Sequence, residues 1–141
     1  MKLHAEVRRL IETGPLAHLV TLNADGSPQV TLVWIGLDGD TVVSGHLYKH
    51  HKLTNIERDP RVAISLEADT KSDWGLSEYV VLYGTAKIHA GGAPALLSRL
   101  SKVYMGQDAI FPPMPDPPPG FITRVEVDRI AGVGPWTGRP V

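Results

Sequence analysis

Lys49-His50-His51-Lys52 sets four basic or potentially basic residues in a row, at the opening of a segment with the pattern of a short helix. A helix start carries partial positive charge, so each cation there costs ~0.3–1 kcal/mol unless an anion sits between side chains and dipole. The run therefore reads either as a phosphate holder or as a basic turn whose long side chains bend into water. His46, His50 and His51 offer a second chemistry, since two imidazoles one helical turn apart suit zinc or haem, but no carboxylate has a matching spacing. His4, His18 and His89 lie on other segments with no spacing rule linking them. Solvated or hydrogen-bonded histidines are the better reading.

Other chemistries find little support. Serines and histidines are present, but there is no Gly-x-Ser-x-Gly elbow and no cysteine. Glu67 with Asp69, and Glu126 with Asp128, fall two apart on strand ends, where facing solvent is the simpler role. The three tryptophans differ in setting. Trp34 stands among apolar neighbours and reads as core, whereas Trp74 is the one large residue of a polar loop and reads as cover for a ring-shaped ligand or a partner. Trp136 falls in a Gly-Pro-rich tail.

The elements that position these residues follow from composition and periodicity. With 141 residues, 43% apolar and 21% charged, the chain reads as one domain, residues 1–141, with one core. Its net charge of −1 and the lack of a Lys/Arg stripe argue against nucleic acid as a partner. The absence of cysteine removes disulfides, thiolate metal sites and thiol nucleophiles. With no apolar leader and no spanning run, the sequence reads as cytoplasmic.

Leu3, Val7, Leu10 and Ile11 predict an amphipathic N-terminal helix within residues 1–13, stopped by Gly14-Pro15. Strands are expected over Leu16–Leu22, Pro28–Leu37 and Thr41–Ser44, joined by the turns at Asp25-Gly26 and Asp38-Gly39-Asp40. A short helix over Lys49–Arg58 ends where Asp59 precedes Pro60. Val62, Ile64 and Leu66 alternate as in a half-buried strand, and Tyr79–His89 forms another with Gly84 as a bulge or close approach. Pro94 opens a second amphipathic helix through Leu96, Leu97, Leu100, Val103 and Tyr104. Residues 106–120 follow as a Pro-rich loop, extended and semi-rigid, then a final strand over Phe121–Ile130 and a surface tail over residues 132–141. The sum is a mainly β antiparallel barrel with a few short helices, binding an anionic, ring-bearing small molecule.

The run from His51 to Ile64, with Lys52-Leu53-Thr54-Asn55 leading to Asp59-Pro60-Arg61, resembles the hallmark of the pyridoxamine-phosphate-oxidase-like split β-barrel family. Leu19–Leu22, then Asp25–Val30, then Tyr79–Ala86 agree in order, so the resemblance spans about residues 5–130. Within that family the chain is most similar to the small actinobacterial branch that uses coenzyme F420, a deazaflavin.

The resemblance implies a split β-barrel closed by antiparallel strands, and a homodimer with its cofactor at the subunit interface. Lys52 matches the family's phosphate lysine, with Ser44, Lys49, His50 and Asn55 beside it, although relatives often carry arginine near His50 and the Ser44-to-Lys52 spacing is about one residue long. The ring would rest on Gln29, Val30, Thr31 and Leu32, and Trp74 matches a loop aromatic near it. The implied activity is hydride transfer from the reduced deazaflavin to an unsaturated small organic acceptor such as an enone, quinone or tetrapyrrole. No side-chain nucleophile is needed for that chemistry. The alternatives are an FMN-dependent oxidoreductase of the same fold, or a non-catalytic flavin, deazaflavin or haem carrier.

Overall fold

A computed structural model describes residues 1–137 of the chain. The N-terminal helix α1 (Ala5–Glu12) is followed by β1 (Ala17–Leu22), β2 (Pro28–Val33), β3 (Gly36–Asp38) and β4 (Thr41–His46). Then come α2 (His51–Arg58), β5 (Arg61–Lys71), β6 (Ser77–Ala90), α3 (Ala93–Tyr104), β7 (Phe121–Val133) and a 3-10 turn at Pro135–Thr137. Each predicted helix and strand is present, except that the strand predicted over Pro28–Leu37 is divided into β2 and β3. Among the described residues no helix is long and apolar enough to cross a membrane.

All pairings are antiparallel, in the order β2-β1-β5-β6-β7-β4-β3. The alternation read in Val62, Ile64 and Leu66 places all three inside, where they meet Leu19, Val80 and Leu82. Leu3, Val7 and Ile11 of the N-terminal segment cap the same core, as their helical spacing requires. Gly84 is the predicted close approach: a Cβ there would collide with the Glu126 carbonyl, and the β6–β7 register shifts between Tyr83 and Gly84.

The expected closed barrel is corrected by the strand order. β2 and β3 are the two edges of one curved sheet and do not pair. The single strand expected over Pro28–Leu37 breaks at Trp34-Ile35. There the Tyr104 hydroxyl accepts from the Ile35 N–H at 3.1 Å and donates to the Pro15 carbonyl at 3.0 Å. A side chain from α3 thus satisfies the seam where a ladder would have closed it. The tail is corrected as well: Gly132 and Val133 belong to β7, and Trp136 packs on the main core while its Nε1 donates to the Tyr79 carbonyl at 3.0 Å. Residues 138–141 of that predicted tail lie outside the described residues.

Candidate functional site

The seam between β2 and β3 opens into a cleft of about 440 Å³. Leu16, Leu32, Val33, Trp34, Leu97 and Phe111 supply its apolar walls, and His46, Tyr48, His50 and Lys52 its polar end. Trp34 is half-buried and packs against the Val43, Leu96 and Leu100 cluster, as its apolar neighbours implied, while also forming a wall of the cleft. It stacks on Tyr104 at 5.3 Å between ring centroids and meets Phe111 at 5.2 Å. Phe111 arrives from the Pro-rich loop, which thereby contributes a ring to the site.

The helix predicted from Lys49 begins at His51, with His50 as its cap residue. No side chain caps it and no acidic residue lies in its first turn; the Leu53 N–H reaches the His50 carbonyl at 2.9 Å. Lys49 and Lys52 then diverge. Lys49 pairs with Glu57 at 2.6 Å, outside the cleft. Lys52 faces the cleft with no acidic partner among the described residues, and burial pushes its ammonium below the usual lysine range. A desolvated, unpaired cation favours an anion from outside.

His46 stands at the end of β4, 5% exposed. Its Nε2 lies 3.0 Å from Ser44 Oγ and 3.1 Å from Thr123 Oγ1. Burial, with the charges of Lys52 and His50 adding to it, lowers its pKa to about 4, so the ring is neutral at pH 7.

The remaining predicted site residues divide by orientation. Val30 and Leu32 project outward from β2, 57% and 55% exposed. Gln29 and Thr31 point to the inner face. Gln29 Oε1 accepts from Asn55 Nδ2 at 3.1 Å and from Thr21 Oγ1 at 3.2 Å. Asn55 is fully buried and also donates to Asn23 Oδ1 at 2.9 Å and Thr21 Oγ1 at 3.1 Å, while Arg58 donates to its carbonyl oxygen at 3.0 Å. Its side chain is thus committed to tying α2 to the β1–β2 hairpin. Ser44 serves His46, and His51 bonds Asn23 at 3.0 Å. Trp74 tips the β5–β6 hairpin, 71% exposed, and does not line the cleft. Sequence reasoning missed Trp34 and Phe111 as site residues and weighed His46 only as a metal or haem ligand. For His46 the missed signal was its i, i+2 spacing from Ser44, which puts the two on one face of β4. Among the described residues no group of three His, Asp or Glu is placed to hold a metal ion.

A family model described as pyridoxamine 5'-phosphate oxidase matches residues 3–134. A solved structure named F420 reductase is 26% identical with a TM-score of 0.72, covering 88% of this chain and 94% of that one. The conserved hypothetical protein Rv2991 from Mycobacterium tuberculosis is 23% identical with a TM-score of 0.69, covering 100% and 91%. HupZ of Group A Streptococcus is 21% identical with a TM-score of 0.63, covering 92% and 93%. At that distance the last two speak to fold alone. No curated protein sequence matches the chain.

Proposed function

Because the chain belongs to the pyridoxamine 5'-phosphate oxidase family, we propose that it is a coenzyme F420-dependent reductase that passes a hydride to an unsaturated small organic acceptor. The observation that carries this reading is Lys52, a half-buried ammonium without a counter-ion at one end of a cleft whose other end is aromatic and aliphatic. An anionic, ring-bearing molecule fits both ends. Support comes from the F420 reductase likeness at 26% identity. FMN is the alternative occupant, since it presents the same two chemistries.

In this reading Lys52 and the uncapped start of α2 hold the phosphate. β2 is an edge strand, so one set of its backbone N–H and C=O groups has no strand partner and is free to bond the polar edge of the ring. Leu16, Leu32, Trp34 and Phe111 exclude water from that end. When bound, the deazaflavin supplies a two-electron hydride chemistry that needs no side-chain nucleophile. The walls then orient an apolar acceptor against the ring.

The reading includes a homodimer. Val30, Leu32, Val20, Ala63, Val81, Tyr79 and Tyr83 share the outer face of β2-β1-β5-β6, and Leu16, Val30, Leu32 and Tyr79 are 41–57% exposed there. An apolar sheet face of this kind marks an interaction surface, and a second copy seated on it would carry its Trp74 hairpin toward the cleft.

The test is a fluorescence titration of the protein with coenzyme F420 and, in parallel, with FMN, joined to sedimentation at each step. The expected result is tight binding of the deazaflavin by a dimer, and Lys52→Ala weakening it by ~1.5–3 kcal/mol, the scale of a charge-assisted bond to phosphate. Preferential FMN binding moves the assignment to the flavin enzyme. Binding of neither removes the oxidoreductase reading.

A further inference from the structure

His46 belongs to no role assigned so far, yet it is the most constrained polar side chain of the cleft. It is buried, and its Nε2 meets two hydroxyls, Ser44 Oγ and Thr123 Oγ1, themselves 4% and 0% exposed. Among the described residues neither hydroxyl has another partner. If Nε2 carried a proton, both hydroxyl protons would be buried with no acceptor. A bare Nε2 offers one lone pair, which one hydroxyl takes directly or the two share as a three-centre bond, and either arrangement leaves the ring proton on Nδ1.

Nδ1 itself bonds no protein atom. Among the described residues the buried side-chain atoms left without a partner are His18 Nδ1 and Thr31 Oγ1, and His46 Nδ1 is not one of them. The open space His46 lines is the cleft. Lys52 is close enough to act on the ring electrostatically, as is His50, and Tyr48 completes the polar lining from the same turn. The backbone at His46 is confined as well: a Cβ on Gly120 would collide with the His46 carbonyl, so the chain entering β7 passes close against the end of β4.

We propose that His46 is the neutral hydrogen-bond donor of the anion site, its Nδ1–H directed at a phosphate oxygen held beside Lys52, with Ser44 and Thr123 as positioning residues that fix the ring's tautomer. The inference deepens the reading above, because it names a contact in the same cleft. The division of labour is chemical. Lys52 provides charge, which any anion satisfies, while His46 provides a fixed direction that an acceptor oxygen must meet. Two hydroxyls behind the ring hold that direction before the ligand arrives.

The test uses nitrogen-15 spectra of the intact protein titrated with inorganic phosphate, FMN and coenzyme F420, alongside binding by fluorescence for the two cofactors. The expected result is a free-protein spectrum with the proton on Nδ1, and a shift of that resonance on adding each ligand that binds. His46→Leu should weaken binding roughly tenfold to hundredfold, the scale of a hydrogen bond to a charged group. His46→Asn, which keeps an N–H near the Nδ1 position, should recover most of it. Thr123→Val with Ser44→Ala should let the proton distribute over both ring nitrogens. A proton found on Nε2 in the free wild type, a silent resonance at saturation, or a His46→Leu variant that binds like wild type overturns the proposal.

The two readings fail separately. Phosphate binding with a responsive His46, but no binding of either cofactor, removes the reductase and leaves this site. Coenzyme F420 binding with a silent His46 does the reverse, and binding of none of the three removes both.

Discussion

One turn of α2 separates two polar residues with opposite fates. Asn55 lies on the flank against the β1–β2 hairpin, fully buried, with its amide bonded to Thr21, Asn23 and Gln29. Lys52 lies on the flank facing the cleft, half-buried and without a counter-ion. Both are removed from water, but only one has its needs met within the protomer. A buried amide with partners holds the fold, and a buried cation without one weakens it for the sake of a ligand. The family motif groups the two residues, whereas the geometry separates them into scaffold and site.

That contrast breaks most visibly at Asn55. Asn55→Ala removes the buried donor shared by Thr21, Asn23 and Gln29 and the acceptor of Arg58, unties α2 from the hairpin, and should cost ~2–4 kcal/mol in urea unfolding. An equal loss on Lys52→Met would erase the distinction. For Lys52→Met the expected outcome is unchanged or slightly raised stability, because an uncompensated cation is removed, together with the loss of cofactor binding already predicted for Lys52→Ala.

The pH dependence sharpens the contrast on the cleft side. The folded chain keeps His46 neutral down to about 4, while the unfolded chain takes up that proton near 6.5. Between those values the unfolded state holds more protons, so stability is full above pH 6.5 and falls as the pH drops, on the order of 3 kcal/mol by pH 4. Urea midpoints across that window should slope downward for wild type and flatten for His46→Leu. Asn55→Ala should shift the whole curve without changing its slope.

Trp74→Ala gives the smallest effect on stability, within ~0.5 kcal/mol, because the ring is 71% exposed. If the partner's hairpin reaches the cleft, cofactor affinity falls several-fold with the melting temperature unmoved. Unchanged affinity removes Trp74 from the site.

Much of this was readable in the residues. The alternation of Val62, Ile64 and Leu66 implies β5, and Gly84 announced the bulge of β6 because backbone approach leaves no room for a side chain. The basic run marked the region because cations at a helix start need a reason, and the family resemblance singled out Lys52 within it. What was not legible depends on distant contacts. The seam at Trp34-Ile35 is set by Tyr104, 69 residues away, so no local pattern could tell an open sheet from a closed one. Trp34 reads as core and packs as core, yet an apolar neighbourhood in sequence does not say that the ring also ends beside a cleft. Asn55 and Gln29 lay within matching motifs, yet a motif names residues without saying which way they point.

The strand order has a consequence for how the molecule is made. The β3–β4 hairpin joins the rest of the sheet only through β7, which begins at Phe121. During synthesis, strands β1, β2, β5 and β6 can assemble as they emerge, while the hairpin carrying Ser44 and His46 waits for the last strand to be translated. At about 5–20 residues per second that wait lasts several seconds. Until β7 has been made, the hairpin that lines the polar end of the cleft has no sheet to join.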